Sequence, residues 1–409
     1  MAKPEIRLKG FEGEWKPKLL SGIAKFSKGH GYSKSDLCEH GSPIILYGRL
    51  YTNYRTEIDE VDTFVEMKEG SVLSKGGEII IPASGETPED IACASVVKSN
   101  GIILGGDLNV LSIEEKNYNP TFTALSISYG RVHNELAKYA QGKTVVHLHN
   151  AEISKATIHY PHGIEEQQSI ADYFKSLDSM IQGVTKKIAS LKQMKQACLV
   201  SMFPQEGETT PRVRFKGFKG EWEKHALADI AKFSKGSGYS KNDLCDSGTP
   251  IILYGRLYTR YNTQIDNVDT FAIQKPNSVL SEGNEIIVPA SGETPEDIAC
   301  AAVVNQQGVI LGGDLNVIRL DKDFDSYFTS LVITYGDVHY ELAKYAQGKS
   351  VVHLHNSDIC KASISYPSLK EQQQIASFFR SLDSQISLQE ARLEKLKHIK
   401  SACLDKMFV

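Results

Sequence analysis

Three groups of residues have types and spacings that could support nucleotide binding, metal binding or catalysis. Gly142-Lys143-Thr144 resembles the end of a phosphate-binding loop, but Ala137 stands where that motif requires its first glycine. His147 and His149 alternate along a predicted strand and so share one face, yet no third metal ligand stands at a suitable spacing. Ser84 follows a predicted strand like a nucleophile at a strand-to-helix turn, without the Gly-x-Ser-x-Gly pattern. The sequence therefore predicts no catalytic or metal site, and the histidines are interpreted as structural or ligand-contacting.

The composition is that of an ordinary globular protein. The chain has 409 residues, of which 41% are hydrophobic and 23% charged, and this excludes wholesale disorder and fibrous classes. A net charge of −4 gives no support for a free-standing nucleic-acid binder, which would usually be basic. Seven cysteines without a CxxC pair indicate neither a disulfide framework nor a zinc site. With no signal sequence and no run of about 18 apolar residues, we expect a cytoplasmic protein that does not span a membrane.

The chain is one sequence unit written twice. Phe11–Trp15 returns as Phe218–Trp222, 207 residues later, and the 13 residues Pro82–Ala94 are identical to Pro289–Ala301. This period is far longer than the roughly 20–50 residues of solenoid repeats. The duplication therefore predicts two copies of a complete domain.

Each copy ends in a long helix with a coiled-coil pattern. Its apolar residues are spaced alternately by four and three, which is the rhythm of a helix-pairing seam. The predicted seam residues are Ile170, Phe174, Leu177, Ile181, Val184, Ile188 and Leu191 in the first copy and Ile375, Phe379, Leu382, Ile386, Leu393 and Leu396 in the second. Gln389 stands where the first copy has Val184, either as a register-fixing polar residue or at a solvated edge. The first helix, from about Ile164 to Phe203, would be about 60 Å long.

Connectivity predicts the architecture. The first helix carries the chain from one globular domain to the next, so the second helix must run back to pair along the seam. The predicted fold class is α+β, with two pseudo-two-fold-related globular α/β domains separated by two long antiparallel coiled-coil helices. The expected bounds are 1–162 for the first domain, 163–203 for the first helix, 204–211 for a linker, 212–367 for the second domain and 368–409 for the second helix.

Local signals predict the elements of the first domain. We expect a strand over 78–81, a short helix capped by Thr87 with Pro88 at its first position, and a strand, Gly-Gly turn and strand over 101–110. A helix over 132–141 and an alternating strand over 145–149 complete the prediction.

Two motifs carry a family resemblance. Tyr160–Ala171 (YPHGIEEQQSIA), continuing to Leu177-Asp178, and its second copy from Tyr366-Pro367 through Glu371–Ala376 (EQQQIA) resemble the start of the spacer helix in specificity subunits of type I restriction-modification systems. Arg7–Trp15 and Arg214–Trp222 are similar to the start of that family's target recognition domains. The family usually has an aliphatic residue where this chain has Tyr160 and Tyr366. The resemblance covers essentially the whole chain.

The resemblance implies a non-catalytic subunit that binds double-stranded DNA and recruits two modification subunits. Those subunits would methylate adenine at N6 with S-adenosylmethionine, and two restriction subunits with an ATP-driven translocase and nuclease can join such a complex. Any S-adenosylmethionine or ATP would thus be bound by partners, and this chain would hold no cofactor. The alternative is a duplicated coiled-coil adaptor that binds proteins at both domains and never contacts DNA.

DNA contacts are predicted from polar and basic residues that both copies share in glycine-rich loops. Arginine can bind guanine through two hydrogen bonds, threonine can contact a thymine methyl group, and a helix N-terminus suits phosphate. The alternative for each residue is a solvated surface loop. The candidates are Tyr32, Lys34, Tyr47, Arg49, Ser84, Gly85, Thr87, Lys143 and Thr144, with Tyr239, Lys241, Tyr254, Arg256, Ser291, Gly292, Thr294, Lys349 and Ser350 in the second copy.

Near-identical domains predict half-sites that form nearly an inverted repeat, separated by a gap that the helices set. The half-sites are expected to diverge where the copies differ, at Asn53/Arg260, Arg55/Asn262 and His30/Ser237. Because the chain is acidic overall, we expect the isolated subunit to bind DNA weakly.

Overall fold

The chain forms two compact units. The computed structural model describes residues 3–142, 145–205, 207–348 and 351–408. Unit 1 comprises Met1–Lys186 and Glu390–Val409, and unit 2 comprises Lys187–Gln389. Each unit therefore combines one globular part with a segment of each long helix.

Unit 1 is a mixed α/β structure. Its strands are β1 (Lys16–Leu19), β2 (Ala24–Lys28), β3 (Leu37–Cys38), β4 (Ser42–Ile45), β5 (Glu57–Ile58), β6 (Phe64–Val65), β7 (Leu73–Lys75), β8 (Glu78–Pro82), β9 (Ser84–Gly85), β10 (Ser95–Val97), β11 (Asn100–Leu104), β12 (Leu108–Ile113), β13 (Val146–His147) and β14 (Thr157–Tyr160). Its helices are α1 (Arg49–Thr52), α2 (Pro88–Ile91), α3 (Pro120–Ser128), α4 (Gly130–Tyr139), α5 (Asn150–Ile153) and the start of α6 (Ile164–Ser201), with 3-10 turns at Leu20–Gly22 and Lys34–Asp36.

Two five-stranded sheets form the globular part of unit 1. One has the order β2-β12-β8-β10-β5 and the other β3-β6-β4-β11-β7. Strand β8 is buried along its whole length, and its side chains point alternately to opposite faces. Ile79 and Ile81 pack in the same core as Phe122 of α3, whereas Ile80 packs in a second core with Val97. The continuous apolar run of β8 thus fills two cores at once.

The local predictions for this domain are largely confirmed. Strand β8, the turn between β11 and β12, and helix α2 with its Thr87 cap and first-position proline are all observed. The helix expected over 132–141 begins and ends two residues earlier, as α4. The strand expected over 145–149 is limited to β13.

Unit 2 repeats this arrangement. Its strands are β15 (Glu223–Ala226), β16 (Ala231–Lys235), β17 (Leu244–Cys245), β18 (Thr249–Ile252), β19 (Gln264–Ile265), β20 (Phe271–Ala272), β21 (Glu285–Pro289), β22 (Ser291–Gly292), β23 (Ala302–Val304), β24 (Ile310–Leu311), β25 (Leu315–Leu320), β26 (Val352–His353) and β27 (Ser363–Tyr366). Its helices are α7 (Leu227–Ile230), α8 (Arg256–Thr259), α9 (Pro295–Ile298), α10 (Ser326–Tyr335), α11 (Asp337–Tyr345), α12 (Asn356–Ile359), the end of α6 and the start of α13 (Leu369–Met407), with a 3-10 turn at Lys241–Asp243. The sheet orders are β16-β25-β21-β23-β19 and β17-β20-β18-β24.

Within unit 1, the end of α13 packs against the start of α6. Lys400 Nζ donates to Asp178 Oδ1 at 2.5 Å, and the Phe174 and Phe408 ring centroids lie 5.8 Å apart. The contacting position falls along α6 from 178 to 174 as it rises from 400 in α13 to 408, directly after the end of that helix. The two segments are therefore antiparallel, as the connectivity predicts.

Within unit 2, the reciprocal segments pair in the same way. Lys195 Nζ donates to Asp383 Oδ1 at 2.5 Å, and the Phe203 and Phe379 rings stack with centroids 5.9 Å apart. These four residues are the counterparts of Lys400, Asp178, Phe408 and Phe174 in the other copy. The predicted fold class of mixed α/β domains with long antiparallel helices is thus confirmed.

The predicted seam residues lie mainly in the interior. Those that are buried are Ile170, Phe174, Leu177, Val184, Ile188, Leu191, Ile375, Phe379, Leu382 and Ile386, and those that are half-buried are Ile181, Leu393 and Leu396. Gln389 is also buried, which excludes the solvated edge.

Ion pairs fix the N-terminal segment of each copy to the start of its long helix. Arg7 donates from Nε and Nη2 to both carboxylate oxygens of Glu166, each at 2.7 Å, and Trp15 Nε1 donates to the same carboxylate at 3.4 Å. Arg214 makes the same two-bonded pair with Glu371, at 2.6 and 2.7 Å. Two parallel hydrogen bonds to a charged partner are strong and fix the relative orientation of the two side chains. The two motifs behind the family resemblance are therefore in direct contact.

No helix among the described residues is long and apolar enough to cross a membrane.

Candidate nucleic-acid interface

The tyrosines predicted to contact DNA in the loop after β2 and β16 are structural. Tyr32 is 7% exposed, its hydroxyl accepts from Lys68 N at 2.7 Å, and Lys68 Nζ lies 4.7 Å from the ring centroid. Lys68 also pairs with Asp36, and this contact lowers the pKa of the Asp36 carboxyl to about 2. The neighbouring Lys34, at the start of the 3-10 turn, is exposed and available to a ligand.

The second copy reproduces this cluster. Tyr239 accepts from Lys275 N at 2.7 Å, and Lys275 Nζ lies 4.4 Å from its ring. Lys275 pairs with Asp243 at 2.6 Å and lowers the pKa of that carboxyl to about 2. Lys241 is exposed like its counterpart.

The predicted arginines are held by carboxylates. Arg49, at the start of α1, pairs with Asp62 and lowers the pKa of that carboxyl. Arg256, at the start of α8, donates to Asp269 at 2.9 Å and to the Asn267 carbonyl at 3.2 Å. The side chains of Arg49 and Arg256 are 10% and 14% exposed. Much of each guanidinium is thus committed within its own unit.

Two of the sequence differences between the copies compensate each other. Arg260, which replaces Asn53, pairs with Asp269 in unit 2. Arg55, which is replaced by Asn262, lowers the pKa of Asp62 by its charge in unit 1. The corresponding carboxylates Asp62 and Asp269 therefore each interact with a second arginine, which stands at a different sequence position in each unit.

Tyr47 in unit 1 and Tyr254 in unit 2 each pack edge to face on a second tyrosine of the same unit. Tyr47 packs on Tyr51 with centroids 6.3 Å apart, and Tyr51 donates its hydroxyl to the Ser84 carbonyl at 2.6 Å. A Cβ atom on Gly85 would lie 2.9 Å from the Tyr51 hydroxyl, so the close approach requires glycine. Tyr254, Tyr258, Ser291 and Gly292 repeat the arrangement, with a hydrogen bond of 2.8 Å.

A cleft of about 640 Å³ in unit 1 brings several of these residues together. It is lined by Lys34, Tyr47, Ser84 and Gly85 among others. Tyr32 and Arg49 do not line it. Carboxylates also line it, and they line the corresponding cleft of unit 2, of about 480 Å³, to which none of the predicted DNA-contact residues that the structure describes contributes. The carboxylates are Glu86, Glu89 and Asp90 in unit 1 and Glu293, Glu296 and Asp297 in unit 2.

These clefts suit amino groups better than phosphates. Carboxylates accept from cytosine N4 but repel phosphate oxygens. Thr87 and Thr294 are exposed and cap α2 and α9, accepting from Asp90 N and Asp297 N at 3.1 Å. The adjoining candidates Lys143, Thr144, Lys349 and Ser350 lie outside the described residues.

Two histidines stand beside these candidates and were absent from the predicted DNA contacts. His147 is paired directly opposite Ser84 between β13 and β9, and its Nδ1 lies 3.1 Å from Ser84 Oγ. The His147 and His149 rings are exposed and nearly parallel, at 8°, with centroids 6.2 Å apart. The alternating strand pattern over 145–149 is the sequence signal that places both histidines on one face. Among the described residues, no cluster of three or more possible metal ligands occurs.

Two copies of one α/β domain, each with a cleft lined by three carboxylates and each joined to a long helix, define a duplicated recognition protein. The chain belongs to the family of the type I restriction modification DNA specificity domain, whose profile matches residues 12–193 and 219–398. The family resemblance inferred from the helix-start motifs is thereby confirmed, and the chain is a DNA specificity subunit. Subunits of this kind are non-catalytic.

Known relatives agree with this assignment. The type I restriction enzyme MjaVIII specificity subunit of Methanocaldococcus jannaschii is 18% identical over 353 residues, which are 84% of this chain and 80% of the relative. The crystal structure of a type I restriction-modification S subunit from M. genitalium has a TM-score of 0.62 at 13% identity and covers 100% of this chain and 99% of its own. The HsdS subunit of Thermoanaerobacter tengcongensis gives 0.50 at 15% identity, covering 97% of each chain.

Proposed function

We propose that each unit contacts one half-site of a bipartite sequence in double-stranded DNA, and that the two half-sites form nearly an inverted repeat. The observation that supports this is the repetition of side-chain contacts in both units. The Tyr51–Ser84 and Tyr258–Ser291 hydrogen bonds, at 2.6 and 2.8 Å, are one such repetition. The Arg49–Asp62 and Arg256–Asp269 pairs are another. Two surfaces with the same donors and acceptors select the same bases.

A non-catalytic specificity subunit needs partner subunits that carry out the reactions on DNA. We propose that two modification subunits dock on the long helices and methylate adenine at N6 with S-adenosylmethionine, and that restriction subunits using ATP can join the complex. Because the chain itself has a net charge of −4, the modification subunits would neutralise much of the phosphate charge of the DNA. The complex would act in the cytoplasm, where its DNA lies.

The long helices would set the gap between the half-sites. The antiparallel pairing within each unit supports a fixed geometry, because slipping one helix by a turn would break Asp178–Lys400 in unit 1 and Asp383–Lys195 in unit 2. Deleting one turn from both helices should shorten the gap in the recognised sequence. An unchanged gap would contradict this role of the helices.

Fluorescence anisotropy with labelled duplex DNA tests the proposal. The complex of this chain with its modification subunits should bind its own site far more tightly than a scrambled duplex, and the isolated chain should bind weakly. The affinity should fall steeply with salt, because phosphate contacts release counterions. A complex that assembles fully but binds neither duplex would instead identify the chain as a protein-protein adaptor.

A further inference from the structure

A two-stranded ribbon in each unit presents a row of exposed side chains. In unit 1 it consists of β9 and β13, with Val146 paired opposite Gly85. Val146 and Leu148 point inward and are 4% and 0% exposed. Val145, His147 and His149 alternate with them and are exposed, Val145 at 48%. This outward row contains no carboxylate.

The first imidazole of the row is held in place. The Ser84 side chain is buried, and its Oγ lies 3.1 Å from His147 Nδ1. When the serine hydroxyl donates to Nδ1, the ring proton resides on Nε2, at the outer edge of the ring. In that tautomer His147 offers a hydrogen-bond donor at the outer edge of its ring.

The imidazole rings of His147 and His149 are spaced by nearly the length of two base steps in DNA. The ring centroids of His147 and His149 are 6.2 Å apart and the rings are 8° from parallel. Successive bases along one strand are about 3.4 Å apart, so two base steps span about 6.8 Å. The major groove is wide enough to admit a two-stranded ribbon.

Unit 2 carries the same row. Val351, His353 and His355 are exposed, the two rings are 6.3 Å apart and 2° from parallel, and Ser291 Oγ lies 3.1 Å from His353 Nδ1. The outward chemistry is thus identical in the two units, although nearby loops differ in sequence.

We propose that this ribbon reads base edges in the major groove, with His147 and His149 donating to purine N7 or guanine O6 acceptors two base pairs apart. His353 and His355 would make the same contacts in the other half-site. An exposed valine beside the rings suits a thymine methyl group and not a phosphate, and this favours base edges over the backbone. The inference rests on the proposed DNA-reading function.

The test uses the complete complex with its modification subunits and a duplex containing its methylation site. His147→Ala/His149→Ala should weaken specific binding by roughly 10–100-fold, in line with the loss of good base contacts, and leave binding to a scrambled duplex unchanged. His353→Ala/His355→Ala should do the same. His147→Gln/His149→Gln keeps N–H donors and should retain more of the affinity. His162→Ala removes another exposed imidazole and should change nothing.

Base analogues identify the acceptor. Replacing one purine at a time by its 7-deaza analogue removes N7, and at the contacted position it should weaken binding by the wild-type complex but not further weaken the double-alanine variant. If the alanine variants lose equal affinity for the specific and the scrambled duplex, or lose none, the ribbon assignment is overturned. The proposed function still stands in that case if the wild-type complex prefers its own site. A wild-type complex without site preference would overturn both.

Discussion

The last residues of each repeat should be essential to the core of one particular unit. Phe408 is 6% exposed and packs on Phe122 and Phe174, with ring centroids 5.7 and 5.8 Å apart, all within unit 1. Its counterpart Phe203 is fully buried in unit 2 and packs on Phe328 and Phe379 at 5.7 and 5.9 Å. Phe408→Ala should therefore destabilise unit 1, and Phe203→Ala should destabilise unit 2.

The expected magnitude is large relative to the stability of a domain. Truncating a buried phenylalanine to alanine lowers the free energy of unfolding by about 3–5 kcal/mol, from lost burial and the cavity left behind. For a unit of about 200 residues, each kcal/mol shifts the Tm by roughly 2–4 °C, so the affected unit should melt roughly 6–20 °C lower.

Hydrogen exchange followed by mass spectrometry resolves the two units. Phe408→Ala should speed exchange in β8 and β12 and spare β21 and β25, and Phe203→Ala should do the reverse. Leu388→Ala is the control, because Leu388 is 67% exposed and its truncation should leave both patterns unchanged. Equal acceleration in both units by either variant would refute the assignment of each helix end to one core.

Two further substitutions test single contacts. Asp383→Ala should lower the free energy of unfolding by about 1–3 kcal/mol more than Asp178→Ala in urea titrations, because Asp383 also accepts from the buried Tyr327 hydroxyl at 2.8 Å; equal losses would contradict this role. Gly85→Ala should destabilise unit 1 by about 1–3 kcal/mol, because the new methyl group would lie 2.9 Å from the Tyr51 hydroxyl. Adding Tyr51→Phe should recover part of that loss, and a double variant less stable than Gly85→Ala alone would count against this contact as the cause.

The architecture could be predicted because its signals are local or repeated. Alternating spacings of four and three indicated the long helices, and the duplication with its connectivity required them to run antiparallel. The cap at Thr87 with Pro88 and the apolar run of β8 likewise depend on residues close in sequence. Such patterns need no knowledge of tertiary contacts.

The site was harder to predict because its contacts are distant in sequence. Tyr32 was predicted to contact DNA, but in the fold its hydroxyl accepts a hydrogen bond from Lys68 N, 36 residues away. Arg49 is likewise held by Asp62, and His147 meets Ser84 from 63 residues away. Residue type and loop position are visible in the sequence, whereas which of these side chains remain free to contact a ligand depends on tertiary packing.

Mapping methylated adenines by long-read sequencing in DNA from a host that expresses this chain with its modification subunits tests the central claim most directly. Two nearly identical units should yield one bipartite sequence whose halves are nearly inverted repeats, with a constant gap and a methylated adenine in each half on opposite strands. Two unrelated half-sites would contradict the account, because equal recognition surfaces cannot select different bases.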